Sequence, residues 1–427
     1  MYRLFILAVL FSVGGCATYS GAFRKTEHDL AAQKYDAALS DLKSDSSSKD
    51  RVLYYLNKGM ILRMKRDFTA SNVAFELAKK DIDSLYATSV SESVLSVTVN
   101  DTTVSYSGAD YERILLHSYM SLNYLELGQP GSARVESLQI DEALRSYKEK
   151  HPDTKFSDDA FALYLTGMIY VDMGEYSDAM ISYRSAYTAY KHTPGGVIPL
   201  ELQNDLLRMS QQQGLTNELQ QYETEFNAAP SFHSEQGELI FILSNGLVSM
   251  KHERSMIVPA LNGTFVRISL PFYRETLNGN NVASARIIVD NQQSTTELVG
   301  NIDSVARKNL DEHMPAIIAR SAARAVVKSE AVSAVERNAM NNGGNNSSFD
   351  MLGALALQVA AVATEQADTR SWLTLPSNIQ MARLHLPAGK HTVTIDFLDR
   401  NQNVVSTRNE EVAITGRKTF LTQHWIP

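Results

Sequence analysis

The chain has 427 residues, 44% hydrophobic and 21% charged, with a formal net charge of −8. That composition belongs to a globular chain rather than a disordered one, and the length suggests two or three domains. The acidic balance and the lack of a basic tract argue against nucleic acid or anionic lipid as a partner.

One positive residue, Arg3, precedes an unbroken apolar stretch from Leu4 to Phe11, and Gly14-Gly15 lead into Cys16, the one cysteine of the chain. A basic start, an apolar core and small residues at a cut site read as a signal peptide over residues 1–15. A spanning helix needs about 20 apolar residues, and the glycines arrive too early for one. A signal that stops at Gly-Gly-Cys resembles that of a bacterial lipoprotein. The resemblance implies cleavage before Cys16, a lipid thioether on its sulfur and an acyl chain of the palmitate kind on its new amino terminus. Ala17 rather than Asp follows, which in the sorting rule of enteric lipoproteins implies the outer membrane, facing the periplasm. Acylated, Cys16 leaves no thiol for a disulfide, a metal site or a nucleophile. The covalent lipid is the only cofactor expected.

From Tyr19 to Phe226 the pattern is helical, with self-similarity at roughly 34 residues, the tetratricopeptide period. The clearest unit is Ala160 to His192, where Gly167, Tyr170, Gly174, Tyr176, Ala179, Tyr183 and Ala186 fall in register. Small residues are needed where paired helices cross closely, and aromatics fill the gap between units. A second unit, Arg51 to Lys80, has Gly59, Phe68 and Phe75 in equivalent places, with Arg66 where the turn glycine would be. A weaker third spans Tyr111 to Leu144, and Leu206 to Phe226 reads as a degenerate closing pair. Inside this block Leu95, Val97 and Val99 alternate before Asn100-Asp101, which predicts a hairpin insertion over Val94–Tyr106. Most tyrosines here stand at packing positions. Tyr164, Tyr187 and Tyr190 lie off the consensus places and are candidates for a partner-binding groove.

Near Ala229-Pro230 the period changes, and short strands are predicted between Glu238 and Gly300 and again between Ile379 and Trp425. Between them a helical block carries Pro315, which predicts two helices, Ile302–His313 and Pro315–Met340. An Asn-Gly-Ser run over residues 341–348 predicts a flexible linker. After it Met351–Thr364 is apolar nearly all round, with about 14 apolar residues, too few to cross a bilayer. It reads as a core helix, with an oligomer contact or a membrane-inserting segment as the alternatives. Glu365, Asp368, Arg370 and Trp372 form the densest polar-aromatic cluster. It reads as a buried Arg–carboxylate tie, or, with Arg370 and Trp372 as its carriers, as a recognition site for a partner or glycan. Pro387-Ala388-Gly389-Lys390-His391-Thr392 resembles the turn-strand of small envelope β-modules.

Ser107-Gly108-Ala109-Asp110-Tyr111-Glu112, Leu122 to Gly128, Pro315 to Arg320, Thr364 to Trp372 and Leu375-Pro376 together resemble an uncharacterised family of Gram-negative lipoproteins with tetratricopeptide-like N-terminal halves. The resemblance implies an outer-membrane or periplasmic lipoprotein and supplies no catalytic residues. The ten histidines have no metal-ligand spacing, and no phosphate loop or nucleophile elbow is present.

The expected fold is therefore α+β and multidomain. Residues 16–228 form an all-α tetratricopeptide-like domain with a hairpin insertion. Residues 229–427 form an α/β module of mainly antiparallel strands with a helical pair. The expected function is a non-enzymatic, lipid-anchored scaffold or accessory factor for an envelope assembly such as secretion or cell-wall machinery. Its partners would be other envelope proteins through the repeat surface, the membrane through the anchor, and a second copy of the chain. Two alternatives stay open: an enzyme acting on peptidoglycan or a glycan, and an oligomerising membrane-active subunit that uses 351–364.

Overall fold

The computed structural model describes residues 19–42, 48–98, 101–150, 159–193, 195–232, 237–260, 262, 264–274, 281–341, 355–356, 358–360, 362 and 364–427. Cys16, the signal peptide and the linker residues 342–348 lie outside these.

The N-terminal half is a tetratricopeptide-like array of paired helices. α1 (Tyr19–Ala31) and α2 (Tyr35–Asp41) open it. Three full units follow: α3 (Arg51–Met64) with α4 (Phe68–Thr98), α5 (Asp110–Glu126) with α6 (Pro130–Lys150), and α7 (Ala160–Asp172) with α8 (Tyr176–His192). α9 (Leu200–Gln212) and α10 (Thr216–Phe226) close it. The consensus positions act as their residue types require. A methyl group at Gly59 would run into the Phe75 ring, and one at Gly167 into the Tyr183 ring, so each glycine lets the second helix of its unit lie against the first. Gly128 and Gly174 take left-handed φ values of 67° and 77° at the inter-helix turns. Arg66 does the same work at φ 67° without being glycine, which is why the turn survives there at some cost in backbone energy.

The insertion expected as a hairpin forms no strand among its described residues. α4 runs 31 residues through Thr98, and Asp101–Thr103 is a short 3-10 turn. Three alternating apolar residues carry little information against a helix already formed, since propagation adds a bond per residue while a new element must be nucleated.

β1 (Gly237–Asn245), β7 (Asn378–Leu386), β6 (Glu297–Asn301) and β10 (Lys418–Trp425) form one sheet in the order β10-β1-β7-β6. β4 (Ser284–Val289), β5 (Gln292–Thr295), β8 (Gly389–Leu398) and β9 (Val404–Ile414) form a second, ordered β5-β4-β8-β9. Among the described strand pairs only β1–β10 is parallel. All nine residues of β1 are buried, because both faces of the first sheet are covered. Ile240, Ile242, Ile379, Met381 and Phe420 join the core of the repeat array. Leu239, Phe241, Leu243, Leu384 and Leu421 join the core shared with the second sheet. Period-2 alternation thus sends alternate side chains into two different cores, and the molecule is layered helix array, sheet, sheet.

A separate hairpin of β2 (Lys251–Pro259) and β3 (Phe265–Tyr273) lies beside α11 (Ile302–Asn341). α11 is one continuous helix of 40 residues with Pro315 inside it, not the two helices predicted. Proline there forfeits the hydrogen bond to the Asp311 carbonyl, a cost of about 3 kcal/mol. Anchors on both sides offset it: Tyr147 Oη donates to Glu312 at 2.7 Å, and Arg324 pairs with Asp101 and Glu365, each at 3.0 Å. Within 351–364, residues 355–356, 358–360 and 362 are helical, with Leu355 58% and Val359 53% exposed. Leu355 and Val359 thus stand on a solvent-facing side of the segment, and most of the rest of the expected core helix lies outside the described residues.

Candidate functional site: the filled inner face of the repeats

Paired-helix arrays expose the first helix of each unit along one face, the usual place for a ligand. Here the C-terminal half occupies that face from α3 to α9. At the first unit, the irregular stretch after Glu365 enters the array as a strap. Trp372 is fully buried, edge-on to Phe75 and Tyr119 at centroid distances of 5.7 and 6.2 Å. Its main-chain N–H donates to Glu112 Oε1 at 2.8 Å, and its indole N–H to Thr374 Oγ1 at 2.9 Å. The Thr374 main-chain N–H and hydroxyl both donate to Asn57 Oδ1, at 3.1 and 3.0 Å. Glu112 and Asn57 stand on the first helices α5 and α3, so they read a passing main chain as they would read a bound peptide.

Arg370 anchors the start of the strap. It donates to Asp50 at 3.1 Å, to the Val104 carbonyl at 3.1 Å and to Asp368 at 2.8 Å. Burial works against its charge, but Asp368 and Asp50 outweigh that and push its pKa up.

Further along the face, Arg63 donates to Asn123 and, at 2.8 Å, to the Thr422 hydroxyl on β10. Glu126 accepts from the Thr422 N–H at 2.6 Å, and Asp172 from the Lys418 N–H at 3.3 Å. Both carboxylates stand at or near the ends of first helices and cap the outer edge of β10.

Arg383 of β7 completes the seam. It donates to Tyr164 Oη at 2.7 Å and Glu238 Oε1 at 2.9 Å, and pairs with Asp205 at 2.9 Å. Arg208 bonds Asp205, and Lys418 bonds Glu238. Burial opposes every charge in this group. The mutual pairing nonetheless lifts the Arg383 pKa well above the usual range and holds the Asp205 and Glu238 carboxyls below theirs. A cleft of about 490 Å³ opens above it, lined by Tyr176, Phe232, Arg208, His385, Arg417 and Lys418 among others.

The residues singled out in the sequence are placed as follows. Tyr164, Tyr190, Arg370 and Trp372 are buried and serve the seam between the halves. Tyr190 donates to the Val299 carbonyl on β6 at 2.6 Å. Tyr187 is buried against Tyr222 and Phe226 of the closing helix pair, and its hydroxyl donates to Glu225 at 2.6 Å. A groove role for the three tyrosines, and a surface recognition role for Arg370 and Trp372, is therefore corrected: all five face partners inside the chain. Asn57, Glu112, Asp205 and Arg383 were missed. Their one sequence signal is a polar residue on the otherwise apolar face of a first helix or a strand. Cys16 lies outside the described residues. Among the described residues no cluster of three or more His, Cys, Asp or Glu could hold a metal, and no helix is long and apolar enough to cross a membrane.

The fold is thus a tetratricopeptide-like array whose inner face is filled by a β-sandwich from the same chain. No protein-family model matches the sequence, and no curated protein matches it. Among solved structures it is similar to MamA from Desulfovibrio magneticus RS-1, at 12% identity and TM-score 0.30, over 48% of this chain and 89% of that one. It is also similar to a tetratricopeptide repeat protein from Parabacteroides merdae, at 13% identity and TM-score 0.31, over 49% of this chain and 67% of that one. The repeat assignment rests on the helix pairs and their glycine–aromatic contacts rather than on these distant likenesses.

Proposed function

We propose that this chain is a lipid-anchored envelope protein that works as a non-catalytic scaffold or accessory factor, held at the outer membrane through Cys16 and offering the outer face of its repeats to a protein partner. One observation carries the partner surface. Val73, Val135 and Ile181 each stand five positions after the first residue of α4, α6 and α8, and are 59%, 53% and 59% exposed. Leu77 and Leu138 extend the same stripe. Isolated exposed apolar side chains need no explanation, but a ladder repeated in three successive units forms an apolar surface of the sort that binds protein. With the inner face filled, the outer face is the one left for a partner. The leader ending at Cys16 supports the anchor, and the ion-paired state of Asp205 and Glu238 in the cleft supports a role without acid–base chemistry.

The test is crosslinking in intact cells. Replacing Val73, Val135 and Ile181 together by Glu should abolish capture of a specific partner while the protein stays folded and at normal level. Capture indistinguishable from that of an unrelated lipoprotein sinks the reading. Cys16→Ser should separately abolish palmitate labelling.

The outward side chains of Leu355 and Val359, with Met256, Ile257 and Phe265 exposed at the β2–β3 tip, favour membrane insertion by this arm as a second reading. It predicts that vesicles protect the 351–364 segment from protease.

A further inference from the structure

Three of the four sheet edges in the sandwich are short or covered. β10 is capped by Asp172 and Glu126, β6 is bonded by Tyr190, and β5 has four residues. The fourth edge is different. β9 is 11 residues long and pairs only with β8; its register slips once, at Val405, and from Ser406 to Ile414 the ladder is regular, with outward main-chain groups that have no partner among the described residues. A long bare edge is a template for another strand, and proteins normally blunt it.

Two inward side chains decide which strand fits. Arg408 donates to Gln423 Oε1 at 3.0 Å, and Gln423 Nε2 donates to Glu410 Oε1 at 2.8 Å. Inward charges of this sort oppose pairing with a strand that sets a like charge beside them.

We propose that β9 is a homotypic docking edge, which pairs antiparallel with β9 of a second copy about a two-fold axis at Asn409. Residues then face each other when their numbers sum to twice 409. Arg408 of each copy meets Glu410 of the other, Ser406 meets Val412, and no like charges are opposed over the regular stretch Ser406–Val412. An axis one residue away sets Arg408 against Arg408 or Glu410 against Glu410, and an axis at Thr407 leaves both charges opposite uncharged residues, so the register at Asn409 is the one that pairs Arg408 with Glu410. Opposite residues in an antiparallel pair lie within direct reach, and a two-fold uses the same edge on both copies. The two outer sheets join into one, and the repeat outer faces stay free.

Sedimentation of the full chain in mild detergent tests this. The wild type should pass from monomer to dimer as concentration rises. Arg408→Glu and Glu410→Arg each oppose like charges twice and should weaken the dimer roughly tenfold, with unchanged circular dichroism. An equimolar mixture of the two variants restores opposite charges and should dimerise as the wild type does. The double variant Arg408→Glu/Glu410→Arg should also dimerise, since the Gln423 amide can turn over to serve reversed charges. A wild type that stays monomeric, single variants that dimerise normally, or a mixture that fails to recover would each overturn the proposal.

Discussion

The main-chain N–H of Trp372 donates to Glu112 across 260 residues of sequence. The same carboxylate accepts from Tyr106 Oη at 2.6 Å and from the Ala109 N–H at 3.1 Å. One side chain therefore caps its own helix, fixes the turn before it and holds the strap. The bonds from Tyr106 and Ala109 are local to the repeat array, and the one from Trp372 joins the halves, so a side chain already held in place by its own helix receives the strap.

Removing either member should show as lost stability. Trp372→Ala empties a fully buried site and should cost about 3–5 kcal/mol. Glu112→Ala strands a buried main-chain N–H and a tyrosine hydroxyl, and should cost about 2–4 kcal/mol, hydrogen bonds to charged groups being worth about 1.5–3 kcal/mol each. Urea titration followed by both tryptophan fluorescence and helical ellipticity checks the sizes. If the halves form one unit, the two signals move together in the wild type. A helical signal unaffected by Trp372→Ala would show that the array stands without the strap.

Arg383 gives a sharper electrostatic case. Its charge is the first to hold Asp205 ionised, and it follows Lys418 in holding Glu238 ionised, in a place where burial disfavours both. Arg383→Met keeps most of the volume but leaves two buried carboxylates short of a partner, and should cost about 3–5 kcal/mol. Arg383→Lys should recover only part of it, since one ammonium cannot reach Tyr164, Asp205 and Glu238 with the guanidinium's fork. Thermal unfolding of the three proteins at neutral pH would rank them, and a lysine variant equal to the wild type would mean the fork geometry is unimportant.

The repeat units were legible in the sequence because each rests on a local rule: Gly59 under Phe75 and Gly167 under Tyr183 lie sixteen residues apart in both units. The strands of the sandwich were legible by alternation. The site was not, because its contacts join distant positions: Asn57 reaches Thr374, Arg63 reaches Thr422, and Tyr164 reaches Arg383. A polar residue on a first helix reads as solvated until something is known to cover it. The strap around Trp372 has no periodicity at all, and its cluster gave no sign of which elements it would tie. Pro315 misled because anchors on both sides of it overruled a local signal, and the alternation after Leu95 misled because a helix already formed propagates through it.

Acid should act on the fold through His424. It lies on β10, half-buried, with its Nε2 shielded from solvent and without a hydrogen-bond partner among the described residues. Burial first, and then the charges of Arg63, Arg408 and Arg66, push its pKa well below the ordinary histidine value. The folded state therefore binds the proton more weakly than the unfolded state does. Stability from this group is fully present above the unfolded pKa of about 6.5 and falls as pH drops below it, by up to about 1.4 kcal/mol per pH unit. Replacing His424 with Gln removes the titration. Whatever its stability at pH 7.5, the variant's loss between pH 6.5 and 5 should be smaller than the wild type's. Denaturant midpoints measured across that range read the difference directly, and parallel curves for the two proteins would mean that His424 is already charged in the fold.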